Sequence, residues 1–119
     1  MITFEITKKF EVRPEDINDL MTTALEGGIN YWCSHVQVLN CPSKWQYASD
    51  VIALDGRLKI YDAETSDTWE LTLEKFIAGL KRVCEEDDVE SIEDLMQSHD
   101  AGTADRIIQY ALFNEQVFA

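Results

Sequence analysis

Apolar residues recur at helical spacing in three places along this chain, and that recurrence limits its architecture more than any other feature. Ile17, Leu20, Met21, Ala24 and Leu25 follow the i, i+3, i+4, i+7, i+8 pattern of one helix face. Leu73, Phe76, Ile77, Leu80 and Val83 or Cys84 form a second stripe, with Glu74, Lys75, Lys81 and Arg82 on the other side. Ala104, Ile107, Ile108, Ala111 and Leu112 form a third. A shorter helix over 91–97 turns Ile92, Leu95 and Met96 inward. Such stripes need a common apolar surface to cover.

A sheet supplies that surface. Ile2, Phe4 and Ile6, then Phe10 and Val12, alternate with polar residues and predict a strand with one wet face. Residues 29–39 read as a strand or a loop running into one, and Pro42 marks a turn. Residues 45–54 read as a further strand. Asp55-Gly56 between two apolar runs predicts a hairpin. A polar turn over 62–67 leads to a strand at Trp69-Glu70-Leu71. The fold expected is α+β, one domain over 1–119: an antiparallel sheet of about four to five strands with about three helices packed on one face.

Local signals mark the helix ends. Pro14 suits a first helical position, with Glu15 and Asp16 at the positive end of the helix. Gly27-Gly28 predicts a helix stop with one glycine left-handed. Thr72, Ser91 and Thr103 are expected caps, and Lys81 and Arg82 are expected in a last turn.

Charge narrows the function. Twenty-three acids against ten bases leave a net charge of −13. This argues against binding nucleic acid directly through a basic face, and against docking on an anionic membrane. No apolar run approaches the roughly 18–20 residues of a membrane span, and the first residues show no secretory pattern, so a soluble, cytoplasmic protein is expected. The cysteines, Cys33, Cys41 and Cys84, are odd in number and predict no disulfide framework. Cys33, His35 and Cys41 lack a fourth ligand at ordinary zinc spacing, with only Cys84 or His99 to supply one. No metal and no cofactor is expected. No nucleophile-elbow, P-loop or zincin spacing occurs, and a non-enzymatic role is expected.

The run Thr23-Ala24-Leu25-Glu26-Gly27-Gly28-Ile29-Asn30-Tyr31-Trp32-Cys33 resembles the TALEGGIxYW segment of a widespread family of small acidic proteins from phages and mobile elements of gut Firmicutes. The resemblance extends through residues 47–50, 58–64, 69–73 and 104–113. It departs at Asn114, where glycine is expected. It implies an origin in a mobile element. Genes of that kind and size often encode inhibitors of host defence, anti-CRISPR proteins among them.

Two surfaces are candidate sites. Residues 85–105 hold nine acids and no base. Glu85, Glu86, Asp87, Asp88, Glu90, Glu93 and Asp94 are the expected partner-binding residues, imitating a phosphate backbone before a Lys/Arg-lined channel. The partner expected is a host protein, a nucleic-acid-binding defence nuclease. Solvation alone is the competing account of such a charge run. The alternative is a pocket for a nucleotide-like signal built from Tyr31, Trp32, Trp45 and Trp69, with Lys44, Arg57 or Lys59 to meet phosphate. Core packing is the competing account of those rings. Asp62, Glu64, Asp67 and Glu70 form a lesser candidate for Mg²⁺. Val36 and Val38 fit either the core or a homodimer interface.

Overall fold

Pro14 opens α1 (Pro14–Thr23), where its missing N–H costs nothing. The structure is a computed structural model and describes residues 1–4 and 8–119. Asp16 reaches back over the first turn. It accepts the Arg13 backbone N–H at 3.1 Å and the Arg13 guanidinium at 3.0 Å. That guanidinium hydrogen bond is the main reason the Asp16 carboxyl lies below its ordinary range. Ile17, Leu20 and Met21 are buried, as their spacing predicts.

The helix does not stop at a left-handed glycine. It widens into a π-helical turn, Ala24–Gly28, closed by the Ile29 N–H on the Ala24 carbonyl at 3.0 Å. Neither Gly27 nor Gly28 has positive φ. Gly28 is needed for space instead. A Cβ there would stand 2.9 Å from the Ala101 carbonyl oxygen.

Three strands follow among the described residues: β1 (Cys33–Asn40), β2 (Arg57–Asp62) and β3 (Thr68–Leu71). They pair antiparallel in the order β1-β2-β3. The class is α+β as expected, but two expected strands are not found among the described residues. Residues 1–4 and 8–13 carry no strand, and residues 5–7 lie outside the described residues. Residues 48–50 form a 3-10 turn, and 51–55 continue as a helical turn. Val51 and Ile52 are adjacent and both fully buried, which a strand with one wet face cannot provide. Asp55-Gly56 therefore ends a helical turn and makes no hairpin. The Gly56 N–H bonds the Val51 carbonyl and the Asp55 N–H bonds the Ile52 carbonyl, with Asp55 at φ 64°. This is the Schellman arrangement, with aspartate in the left-handed position.

Val36 lies opposite Ile60, and Val38 opposite Leu58. Ile60 and Leu58 are fully buried, so Val36 and Val38 pack on the core side, half-buried. His35, Gln37, Lys59 and Tyr61 take the opposite, wetter face. There the His35 ring stacks on Tyr61 at 4.1 Å and the Tyr61 hydroxyl bonds Gln37.

The remaining helices are α2 (Leu73–Glu86), α3 (Ile92–Ser98) and α4 (Ala101–Phe113), which makes four among the described residues where about three are expected. Thr72 caps α2 and Ser91 caps α3 through their hydroxyls. The cap of α4 is Asp100, not Thr103. Asp100 accepts the Thr103 N–H at 2.9 Å, and Thr103 sits at the third helical position and returns its hydroxyl to the Asp100 N–H. α2 runs past Lys81 and Arg82, so its last turn contains no base. α2 and α4 touch at Gly79, where a Cβ would collide with the Ile107 carbonyl. Leu58, Ile60, Leu71, Phe76, Leu80, Ile107 and Ile108 join one buried cluster between sheet and helices. Among the described residues, no helix is long and apolar enough to cross a membrane.

Candidate functional site

The predicted acidic residues follow α2 out of the core and into α3. Glu85 and Glu86 occupy the last turn of α2. Asp87 caps it, and Asp88 takes a left-handed φ of 49°. Glu90 lies in the connection, and Glu93 and Asp94 lie in the first turn of α3. All seven side chains belong to exposed residues. This exposed stretch, from the last turn of α2 to the first turn of α3, is the acidic ridge.

Their electrostatics are less uniform than the sequence implies. Arg106 of α4 donates Nη1 to Asp87 and Nη2 to Glu86, each at 3.0 Å. The Tyr110 hydroxyl donates to the same Glu86 oxygen at 2.7 Å. Arg82 lies over the Tyr110 ring at 4.3 Å and reaches Glu86 at 3.5 Å. The Tyr110 hydrogen bond, then that of Arg106, hold the Glu86 carboxyl below its ordinary range. The same contact with Glu86 raises the Tyr110 hydroxyl. Arg106 is raised in turn, first by Asp87. Lys8 meets Glu90 at 3.2 Å and Asp88 at 3.8 Å, and Lys81 meets Glu85 at 3.9 Å. Glu93 and Asp94 make no ion pair among the described residues. They sit where a helix N-terminus favours anions. Of the other acids in 85–105, Asp100 caps α4 and Asp105 is buried.

Beside the ridge lies a groove of about 750 Å³. Phe10, Leu80, Cys84 and Ile92 line it with apolar surface, and its charged lining is Lys8, Lys9, Lys81, Glu85 and Asp88. Sequence reasoning misses it, because the alternation of Phe10 and Val12 reads as a strand.

The four aromatic residues do not form one pocket. Trp32 is 2% exposed. Its ring is stacked by Phe118 at 4.8 Å, with an interplanar angle of 1°. Trp69 and Phe113 meet it edge-on, each at 5.9 Å. Trp45 is exposed and joins none of these ring pairs. Tyr31 keeps its ring half exposed and sends its hydroxyl inward to Asp105 at 2.5 Å. Desolvation, and then that bond, push the Tyr31 pKa up to about 12.

Asp105 and Gln109 are the polar residues that sequence reasoning missed. Asp105 accepts from Tyr31, from the Trp32 indole at 2.8 Å and from Gln109 at 2.9 Å. Both sit beside apolar positions of α4. The available signal was their i, i+4 spacing.

The remaining candidates stand apart. Asp62 closes its own turn, accepting the N–H groups of Glu64 and Thr65, which hold its carboxyl below the ordinary range. Glu70 pairs with Arg57 at 2.8 Å. Among the described residues, no three His, Cys, Asp or Glu side chains gather as a metal site. Burial pushes the Cys33 and Cys84 thiols up, and all three cysteines are free. His99 is engaged by the Met96 carbonyl and by Thr23. Comparison with protein-family models, curated proteins and solved structures finds no match to this chain.

Proposed function

We propose that this chain is a non-enzymatic binding protein that presents the ridge from Glu85 to Asp94 to a cationic surface of another protein. The observation that carries this reading is the placement of four consecutive acids, Glu85 to Asp88, at the end of α2. The C-terminal end of a helix is its negative end, where the macrodipole disfavours an acid. A basic residue would be the stabilising choice. Arg106 relieves two of the four and fixes their position. The others face solvent or flexible lysines. A row of carboxylates with two of its members fixed by Arg106, beside a groove lined in part by apolar side chains, suits a protein partner, whose apolar side chains supply anchoring and whose Lys and Arg supply complementarity.

The sequence resemblance supplies the biological setting of the proposal. The chain acts in a bacterial host as a phage or mobile-element product, and its partner is a defence nuclease whose nucleic-acid channel the ridge occupies. The test uses Glu85→Lys, Glu90→Lys and Glu93→Lys together, which spares the Arg106 clamp. A nuclease captured from a defence-bearing host by the wild-type chain should be displaced by double-stranded DNA. It should bind the triple variant at least tenfold more weakly, with the circular dichroism spectrum unchanged. Equal binding by the folded variant removes the ridge from the proposal.

A further inference from the structure

The segment after α4 folds back beside that helix and is held in a slot built to read a peptide backbone. Gln109 is fully buried. Its Oε1 accepts the backbone N–H groups of Val117 at 2.7 Å and Phe118 at 2.8 Å. Its Nε2 donates towards the Phe118 carbonyl at 3.2 Å and Asp105 at 2.9 Å. Two converging N–H donors fix which way the amide points. Asp105 then fixes Gln109 from behind. The Phe118 ring lies flat on Trp32, with Trp69 and Phe113 at its edges. Val117 itself points out and is half exposed. The slot therefore recognises two consecutive amides, one carbonyl and one aromatic ring. Nothing in it depends on those groups belonging to the same chain.

We infer that this slot is a peptide-binding site for an extended segment carrying an aromatic side chain, filled in cis by Val117–Phe118. The occupant in trans is such a segment of a partner protein. The strap is suited to exchange. It leaves α4 at Asn114, which holds a left-handed φ of 58°, and residues 114–117 are exposed. A tether this short gives the strap an effective concentration of about millimolar, so a free peptide competes only when the strap is weakened. The slot lies on a different face of α4 from the Arg106 clamp, so this inference stands independently of the acidic ridge.

The test uses the full chain carrying Val117→Pro and Phe118→Ala, which removes one of the two N–H donors and the ring. The probe is a synthetic pentapeptide of residues 115–119, followed through the Trp32 indole resonance. Saturable binding is expected below about 1 mM in the variant and not in the wild type. A control peptide with alanine in place of phenylalanine should bind at least tenfold more weakly. Equal binding of the two peptides, or none to a variant that keeps its helical spectrum, overturns the inference. A second measurement needs no variant. In the wild type, the amides of Val117 and Phe118 should exchange with solvent at least tenfold faster than those of Ile107 and Ile108. If all four exchange together, the strap opens only with the whole fold and is core, which also overturns it.

Discussion

Replacing Gly79 by alanine tests the packing on which both faces of α4 depend. In an exposed helix interior, Gly→Ala gains about 0.8–1 kcal/mol from backbone entropy. At Gly79 the new methyl group meets the backbone of α4. It would overlap the Ile107 carbonyl oxygen, lie 2.9 Å from the Ala111 nitrogen and lie 3.1 Å from the Ala111 Cβ. None of these is the far end of a flexible side chain, so α4 must move. Overpacking of this kind costs about 1–3 kcal/mol, and contact with backbone places it near the upper end. The net expectation is a loss of about 2 kcal/mol. For a domain of this size that lowers the melting temperature by roughly 6–12 °C.

Gly27→Ala is the matched control. Gly27 lies in the π-helical turn without positive φ, and a methyl group added there would meet nothing within 4 Å. That substitution should stabilise by about 0.4–1 kcal/mol. Thermal and urea unfolding followed by circular dichroism measure both. A Gly79→Ala chain as stable as the wild type would refute the close crossing of α2 and α4. A Gly27→Ala chain that loses stability would refute the geometry of the turn.

The shifted side chains carry further predictions. Glu86 has a depressed folded pKa, so its contribution is present above its unfolded value, about 4.3, and is lost as pH falls through the folded value. Glu86→Gln should flatten the dependence of urea-unfolding stability on pH below about 4.5, and an unchanged slope would show the Tyr110 and Arg106 contacts to be ineffective. Tyr31 is shifted the other way. Its contribution is complete below its unfolded value, about 10, and is lost as pH rises towards the folded value of about 12. Asp105→Asn should move the Tyr31 titration, read by ultraviolet absorbance, back towards the ordinary value while burial keeps it raised. No movement would mean that the bond to Asp105 does not form.

The helices were legible chiefly from apolar spacing, which places a buried stripe on each of them, and α2 and α3 also carry the expected capping side chain. Ser91 and Thr72 cap where expected, and Thr103 misled by three residues because its capping-box partner Asp100 carries the cap. The sheet was less legible. Val51-Ile52-Ala53-Leu54 has the composition of a strand, but composition does not report whether neighbours alternate in burial. Asp55-Gly56 suits a left-handed helix end as well as a hairpin, since both need a residue that tolerates positive φ. For the acids, the run itself is plain in the sequence, but its free charge is overstated there. Arg106 and Lys8 approach from outside the run in three dimensions only. The aromatic residues were misgrouped for the same reason: Phe118 is remote in sequence from Trp32 and covers it in space.

α4 shows why a helix read through its apolar stripe alone loses its chemistry. Ala104, Ile107 and Ile108 face the core, and between them the polar positions divide into two i, i+4 pairs. Asp105 and Gln109 hold Trp32, Tyr31 and the strap. Arg106 and Tyr110, each one residue further on, hold Glu86, and Arg106 also holds Asp87. A step of one residue turns about 100° around a helix, so the two pairs work on separate faces with the same period. Both sets of hydrogen bonds span distances of about 3 Å, and such bonds weaken steeply once their geometry is disturbed. A displacement of α4 at Gly79 therefore loosens the carboxylate clamp and the peptide slot together, whereas Glu86→Gln acts on the first alone and Phe118→Ala on the second alone.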